Sequence, residues 1–231
     1  MANTLHFLLL NNLKTAVVVP ALNEAKTITN VVLALLAYDI VVLVVDDGST
    51  DNTAQLASSA GAFVVSHKEN KGYEQALDTG IETAISQGFD IAVTFDADGQ
   101  LDPRDLQRYI DSMKSCNVDL VVGIRDYRNR YSEYLFSLYG RLRFGLVDPL
   151  CGMKLYRLDI VKEHLPFDKL QLIGMEMAFH MIDSGCQYSQ LPIHIKRRKG
   201  ISRYGSSIRG EISIITALLK AINKFGWFYK H

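Results

Sequence analysis

"IVVLVVDDGSTDNTA", residues 40–54, decides the fold class. Six consecutive apolar residues, four of them valine, run without a polar break into two adjacent aspartates. A short β-branched run with no alternation is a strand covered on both faces, and such strands belong to parallel sheets flanked by helices. Asp51 then stands where a helix N-cap is expected.

The same unit repeats on either side. "TAVVVP" (15–20), "AFVVSH" (62–67), "DIAVTFDAD" (90–98) and "VDLVVGIR" (118–125) read as strands, and segments of helix length fill 24–37, 51–60, 72–87 and 103–116. Pro103 sits at a first-turn position. The apolar run from Val31 to Val45 is broken by Asp39 and reads as a helix end, a turn and a strand. The expectation is an α/β, Rossmann-like chain with a mostly parallel central sheet and helices on both faces. After Arg125 the pattern loosens: 128–144 is helical, "CGMKLYR" (151–157) is strand-like, and a helix follows Ser206. One domain over 1–231 is predicted, with a first half (14–123), an elaborated second part (124–205) and a C-terminal amphipathic helix (206–231).

Composition excludes little but locates charge. The chain is 48% hydrophobic with zero net charge, so no nucleic-acid partner is expected. Residues 1–115 hold 15 Asp and Glu against 7 Lys and Arg, and residues 116–231 hold 10 against 18. One half suits cations, the other anions. The cysteines, Cys116, Cys151 and Cys186, have no metal-ligand spacing and read as free thiols of a cytoplasmic protein. "LHFLLL" (5–10) is too short to span a bilayer and lacks a signal peptide's flanks, so no transmembrane segment is expected.

Ligands of doubly wound sheets bind beyond the carboxyl ends of the strands. Asp46, Asp47, Asp96, Asp98 and Glu24 all fall at such ends, and five carboxylates there repel one another unless a cation or donors intervene. Capping explains Asp51, whereas a cap needs neither two acids nor the amide of Gln100. Hard oxygen ligands at Asp96, Asp98 and Gln100 suit Mg²⁺ or Mn²⁺. The sequence has no GxxxxGK[ST] loop and no GxGxxG after the first strand, which weighs against common NTPases and dinucleotide enzymes.

"VVVPALNEAKTI" (17–28), "VVDDGSTDNTA" (44–54), "NKGYEQALDTGI" (70–81) and "FDADGQLDP" (95–103), in this order, resemble the nucleotide-sugar half of family-two glycosyltransferases with the GT-A fold. "VVGIRDYRNRY" (121–131), "DPLCGMKLYR" (148–157) and "RRKGISRYGSS" (197–207) resemble the polyprenol-phosphate subgroup, typified by dolichol-phosphate mannose synthases. The resemblance implies that Pro20, Leu22, Glu24, Val45 and Asp47 line the nucleoside pocket, with the Gly72 backbone close by. It implies that Asp96, Ala97, Asp98 and Gln100 hold metal and diphosphate, and it matches Arg125 and Gly200–Arg203 to positions about the phosphates; the basic second half adds Arg130 and Arg198 as phosphate contacts. Asp98, Arg125 and Arg203 are then the catalytic candidates. The sequence departs from the pattern at Cys151 (usually Ser), Arg203 (usually Lys) and Leu22 (often Tyr).

The stretch 196–209 holds six Lys or Arg and no acid, set among Gly and Ser rather than on an amphipathic face. Guanidinium forks suit phosphate oxygens. A phosphate acceptor needs alignment more than a base, whereas a hydroxyl acceptor needs a base, for which Asp148 is the candidate; "DP" also reads as a turn. The expected function is metal-dependent, inverting transfer of a sugar from a nucleoside-diphosphate sugar to a polyprenyl phosphate. Transfer to a sugar hydroxyl in polysaccharide assembly, or silent nucleotide-sugar binding, are the alternatives. "EISIITALLKAINKFGWFYKH" (211–231) suits a membrane interface, the domain's own surface or a membrane-protein partner, so a peripheral place on the cytoplasmic face of a membrane is one expectation. His67, His164, His180 and His194 share no spacing and read as surface or satisfied core residues; Met175, Met177 and Met181 read as core.

Overall fold

The computed structural model of the protein describes residues 13–128, 130–167, 169–196 and 208–227. The first half alternates as expected: β1 (Thr15–Ala21), α1 (Ile28–Leu36), β2 (Val41–Asp46), α2 (Thr53–Ser59), β3 (Phe63–Ser66), α3 (Tyr73–Ser86), β4 (Ile91–Thr94), α4 (Asp105–Cys116) and β5 (Leu120–Arg125). The second part adds α5 (Tyr131–Phe144), β6 (Lys154–Arg157), α6 (Leu158–Val161), α7 (Glu176–Asp183), β7 (Tyr188–Ile193) and α8 (Ile208–Phe225). Pro103 lies two residues before α4, its carbonyl accepting the Leu106 N–H, rather than inside the first turn.

All seven strands join one sheet, in the order β3-β2-β1-β4-β6-β5-β7, parallel except for β6. Successive β1 residues face opposite ways: Ala16 and Val18 enter one apolar cluster, Val17 and Val19 the other. Both faces are therefore core, which is why β1 and β2 carry no alternation. On one side α1 docks through Ile28, Val31, Val32 and Leu35, joined by Leu106, Ile110 and Met113 of α4. On the other α3, α5, α7 and α8 cover the sheet. There α3 crosses close to β1, and a Cβ at Gly80 would stand 2.3 Å from Val18 Cγ1. Met175, Met177 and Met181 are fully buried, as expected. Each buried Leu, Ile, Val or Met side chain contributes about 1.5–3 kcal/mol.

β7 contains Pro192 and pairs only with β5, the edge position where a missing N–H is tolerated. Strand order reverses between β1 and β4, opening a crevice at their carboxyl ends. α5 and α8 run side by side in the same direction, as three contacts in step establish. Glu211 of α8 accepts the Ser132 N–H at 3.0 Å, the Tyr139 hydroxyl lies 3.1 Å from the Ala221 carbonyl, and Arg143 Nε donates to the Phe225 carbonyl at 2.9 Å. Among the described residues no helix is long and apolar enough to cross a membrane; "LHFLLL" lies outside them.

Candidate active site

The loops after β1 and β2 are stitched together before any ligand is considered. Ser49 Oγ accepts the Asn23 N–H and Asn23 Oδ1 accepts the Thr50 N–H, both at 2.9 Å. Asp51 receives the Thr53 N–H at 3.0 Å, just outside the N-cap Asn52, and the Ala25 N–H at 3.2 Å. Burial alone would raise its pKa; the hydrogen bonds from Thr53 and Ala25 outweigh that and hold it below the ordinary carboxylate value. The N-cap expected at Asp51 falls one residue later, at Asn52; Asp51 supports the helix start from outside it and fixes the loop that carries Leu22.

Asp47 is buried and takes three donors: His67 Nδ1 at 2.7 Å, and the Lys71 and Gly72 N–H groups at 2.9 Å each. His67 is itself held by Thr79 Oγ1 at 2.9 Å. It is a satisfied core histidine, and it steadies the turn at 70–72. That turn walls a cavity of 480 Å³ at the carboxyl ends of β1 and β2, shared with Pro20, Leu22, Asp47 and Tyr73 and closed by Thr216 and Lys220 of α8. Val45 does not reach it: the side chain is buried, its Cγ2 packed where α3 passes at Gly80. Glu24 also lies outside the lining, its carboxylate accepting from Thr27 Oγ1 at 3.1 Å. His67→Leu strips a donor from the buried Asp47, a loss of about 1–3 kcal/mol. Thermal melting is expected to fall by several degrees; an unchanged midpoint would remove His67 from this role.

The acid pair follows β4. Asp96 Oδ1 lies 3.5 Å from the Tyr73 hydroxyl, so one side chain joins the cavity to the acids. Asp98 Oδ1 accepts the Gln100 N–H at 3.0 Å, fixing the turn, while Ala97 is buried beneath. Gln100 is tied to the start of the basic stretch: its carbonyl accepts the Lys196 N–H at 2.8 Å, and Leu101 bridges Ile195. Arg198 and Arg203 lie outside the described residues. Gly152 presses on Asp96, where a Cβ would stand 2.0 Å from Oδ2. Thr94 Oγ1 holds the Gly152 carbonyl at 2.7 Å.

Behind this lies Lys154, fully enclosed, its Nζ 2.6 Å from the Cys151 carbonyl. Burial lowers its pKa, and Cys151, Asp96 and Asp148 push back. Burial pushes the Cys151 thiol up to about 12, so it packs as a neutral group. All three cysteines are free, as expected.

Arg125 closes its fork on Asp148, Nε to Oδ2 at 2.8 Å and Nη2 to Oδ1 at 2.9 Å, and its own N–H reaches Oδ2 at 3.0 Å. Glu133 stands 3.3 Å from the same Nη2, and Arg130 Nη1 is 3.4 Å from Glu133. Burial, the largest single effect, would lower the Arg125 pKa, but the hydrogen bonds and charge of Asp148, with Cys151 and Glu133, together outweigh it and raise it. Asp148 has no exposed surface. A carboxylate held by both oxygens in this way does not act as a general base, which corrects that reading of Asp148; the turn reading stands, with the Cys151 N–H on its carbonyl.

Residues 16–165 match the sequence profile of Glycosyl transferase family 2. The chain belongs to this family. Within family 2 it is 36% identical over 126 residues to the UDP-N-acetylglucosamine–dolichyl-phosphate N-acetylglucosaminyltransferase of Methanococcus voltae, 47% of this chain and 50% of that one. It is 29% identical over 192 residues to the undecaprenyl-phosphate mannosyltransferase of Micrococcus luteus, covering 74% and 78%. The chain spans about half the length of two of the curated relatives it matches. Glucosyl-3-phosphoglycerate synthase from Mycobacterium tuberculosis, solved with Mn²⁺, uridine diphosphate and glucosyl-3-phosphoglycerate, superposes with a TM-score of 0.74 at 21% identity over 93% of this chain and 82% of that one. That likeness shows the GT-A fold. Tyr73 and Gly152 stand against Asp96 with no side-chain role assigned from the sequence; the "NKGYEQA" motif pointed only to the backbone beside Tyr73.

Proposed function

We propose that this family-2 chain transfers a sugar, with inversion, from a nucleoside-diphosphate sugar to the phosphate of a polyprenyl lipid. The observation that carries the reading is the closed Arg125–Asp148 pair. The carboxylate best placed in the sequence to deprotonate a hydroxyl is unavailable, and a phosphate monoester, largely ionised near neutral pH, needs none. The relatives named for dolichyl and undecaprenyl phosphate support the same acceptor.

The nucleoside enters the cavity over Pro20 and Leu22, against the turn that Asp47 and His67 hold. Its diphosphate extends past Tyr73 toward Asp96 and Asp98. These residues fit Mg²⁺ or Mn²⁺: their oxygens are hard donors, the amide oxygen of Gln100 is a third, and the missing Cβ of Gly152 keeps Asp96 in place. Among the described residues no group of three or more His, Cys, Asp or Glu could hold a metal alone, so substrate oxygens would complete the shell. Such a cation, when bound, neutralises charge on the departing diphosphate. Arg125 keeps Nη1 outside its pair with Asp148 and turns it to phosphate, joined by Arg130, Arg198 and Arg203. The acceptor phosphate is thereby aligned behind the anomeric carbon, and alignment replaces base catalysis.

Two experiments follow. Incubation with radiolabelled UDP- and GDP-sugars, Mn²⁺ and a polyprenyl phosphate should give organic-extractable label that EDTA abolishes; no extractable label from any donor would overturn the reading. Gly152→Ala forces the Asp96 carboxylate aside, and displacement by about 1 Å lowers kcat/KM roughly 10²-fold. Wild-type kcat/KM in that variant would show that Asp96 has no fixed position to lose.

A further inference from the structure

Most of the large apolar side chains exposed among the described residues lie on two adjacent helices. On α5, Tyr131, Tyr134, Leu135, Leu138 and Leu142 recur at i, i+3, i+4, i+7 and i+11, with Tyr131 at 88% exposure. On α8, Ile208, Ile212, Ile215 and Leu219 recur at i, i+4, i+7 and i+11. Each helix already buries its opposite side, through Phe136 and Tyr139 on α5 and Ile214, Ala217 and Ala221 on α8. The two helices are therefore apolar on two faces, one more than a domain's own core requires. Because they run side by side in step, the two exposed ridges flank a single seam. Patches of this extent mark a docking surface.

We infer that the α5–α8 face lies on an anionic lipid bilayer. Charge selects this occupant. The two acids of these helices do not face outward: Glu133 is buried and Glu211, half-buried, receives the Ser132 N–H. The cations Arg141 and Lys224 are exposed. A two-fold contact with a second copy would offer these cations no exposed acid of the two helices in return, whereas anionic headgroups complement them. Tyr131 at the start of α5 and Trp227 beyond the end of α8 are exposed aromatic groups of the kind that settle at headgroup depth. The face is also continuous with the candidate site. α5 begins directly after Arg130, and α8 contributes Thr216 and Lys220 to the cavity. This inference deepens the proposed lipid-phosphate acceptor: a bilayer held here would present its phosphates at the mouth of the site.

Trp227, the chain's one tryptophan, is a built-in reporter. The full chain is titrated with phosphatidylcholine vesicles with and without phosphatidylglycerol, in the absence of donor and acceptor, and binding is read by Trp227 emission and by co-sedimentation. The expected result is a blue shift and sedimentation with the anionic vesicles, weakened by salt. Partition should fall ~10-fold or more in Leu135→Glu/Leu138→Glu and in Ile215→Glu. Transfer to a short, water-soluble isoprenyl phosphate is expected to stay at the wild-type rate in these variants, which shows them folded. Equal vesicle binding by wild type and variants, or none by wild type, overturns the inference. So does a wild-type dimer in light scattering that the same substitutions dissociate without any vesicle binding. Vesicle binding is measured without turnover, so its failure and the failure of the transfer reading are separate results.

Discussion

Asp98→Ala is expected to lower kcat/KM for sugar transfer by roughly 10²–10³-fold at saturating Mn²⁺. Two effects are combined in that loss. Asp98 Oδ1 caps the Gln100 N–H at 3.0 Å, which positions the turn, and in the proposed function the carboxylate also brings charge to the diphosphate. Asp98→Asn separates them, because an amide carbonyl still accepts from Gln100 while the negative charge is gone. If charge matters, the Asn variant falls nearly as far as the Ala variant and melts close to wild type. An active Asn variant beside a dead Ala variant would reduce Asp98 to a turn residue. The same acid at a purely structural position would cost about 1 kcal/mol of stability and nothing in turnover.

Asp148→Asn is expected to produce the largest loss of stability. Removing one partner of a buried, bidentate pair leaves the Arg125 guanidinium uncompensated, which costs about 3–5 kcal/mol. For a chain of 231 residues that corresponds to a fall in Tm of about 10 °C or more. Arg125→Lys should also melt early, because an ammonium cannot span both Asp148 oxygens. The combined Arg125→Met/Asp148→Leu chain should regain much of the lost Tm, since no unpaired charge is left, while transfer stays low. If Arg125 served phosphate alone, each single variant would melt normally and only turnover would fall.

These two sites show what local sequence conveys and what it does not. The strands β1, β2 and β4 were legible because burial on both faces leaves an unbroken β-branched run, and α1, α3 and α4 because one apolar stripe repeats every turn. The acid-pair turn was legible for the same local reason: Asp98 Oδ1 accepts the Gln100 N–H two residues on. Less legible was everything closed by distant pairing. "CGMKLYR" reads as a strand, but its antiparallel place between β4 and β5 depends on register with Thr94 and Val122, which no local pattern encodes. β7 escaped notice because its sequence, "YSQLPI", carries a proline that only an edge strand accepts. Arg125 and Asp148 are 23 residues apart, so the arginine suggested a ligand and the aspartate a base until their side chains were seen locked together. His67 looked bland because its partners, Asp47 and Thr79, lie 20 and 12 residues away. The apolar outer ridge of α5 was hidden for another reason: a helix apolar on two faces reads in sequence as simply buried.

The central claim is that the acceptor is a lipid phosphate that needs no base. The most direct test offers the protein one radiolabelled nucleotide sugar, Mn²⁺, and in parallel a polyprenyl phosphate, the matching polyprenol, and 3-phosphoglycerate. Label is expected on the polyprenyl phosphate alone, as a sugar–phosphate ester cleaved by mild acid. Transfer to the polyprenol, or to phosphoglycerate in preference to the lipid, would contradict the account.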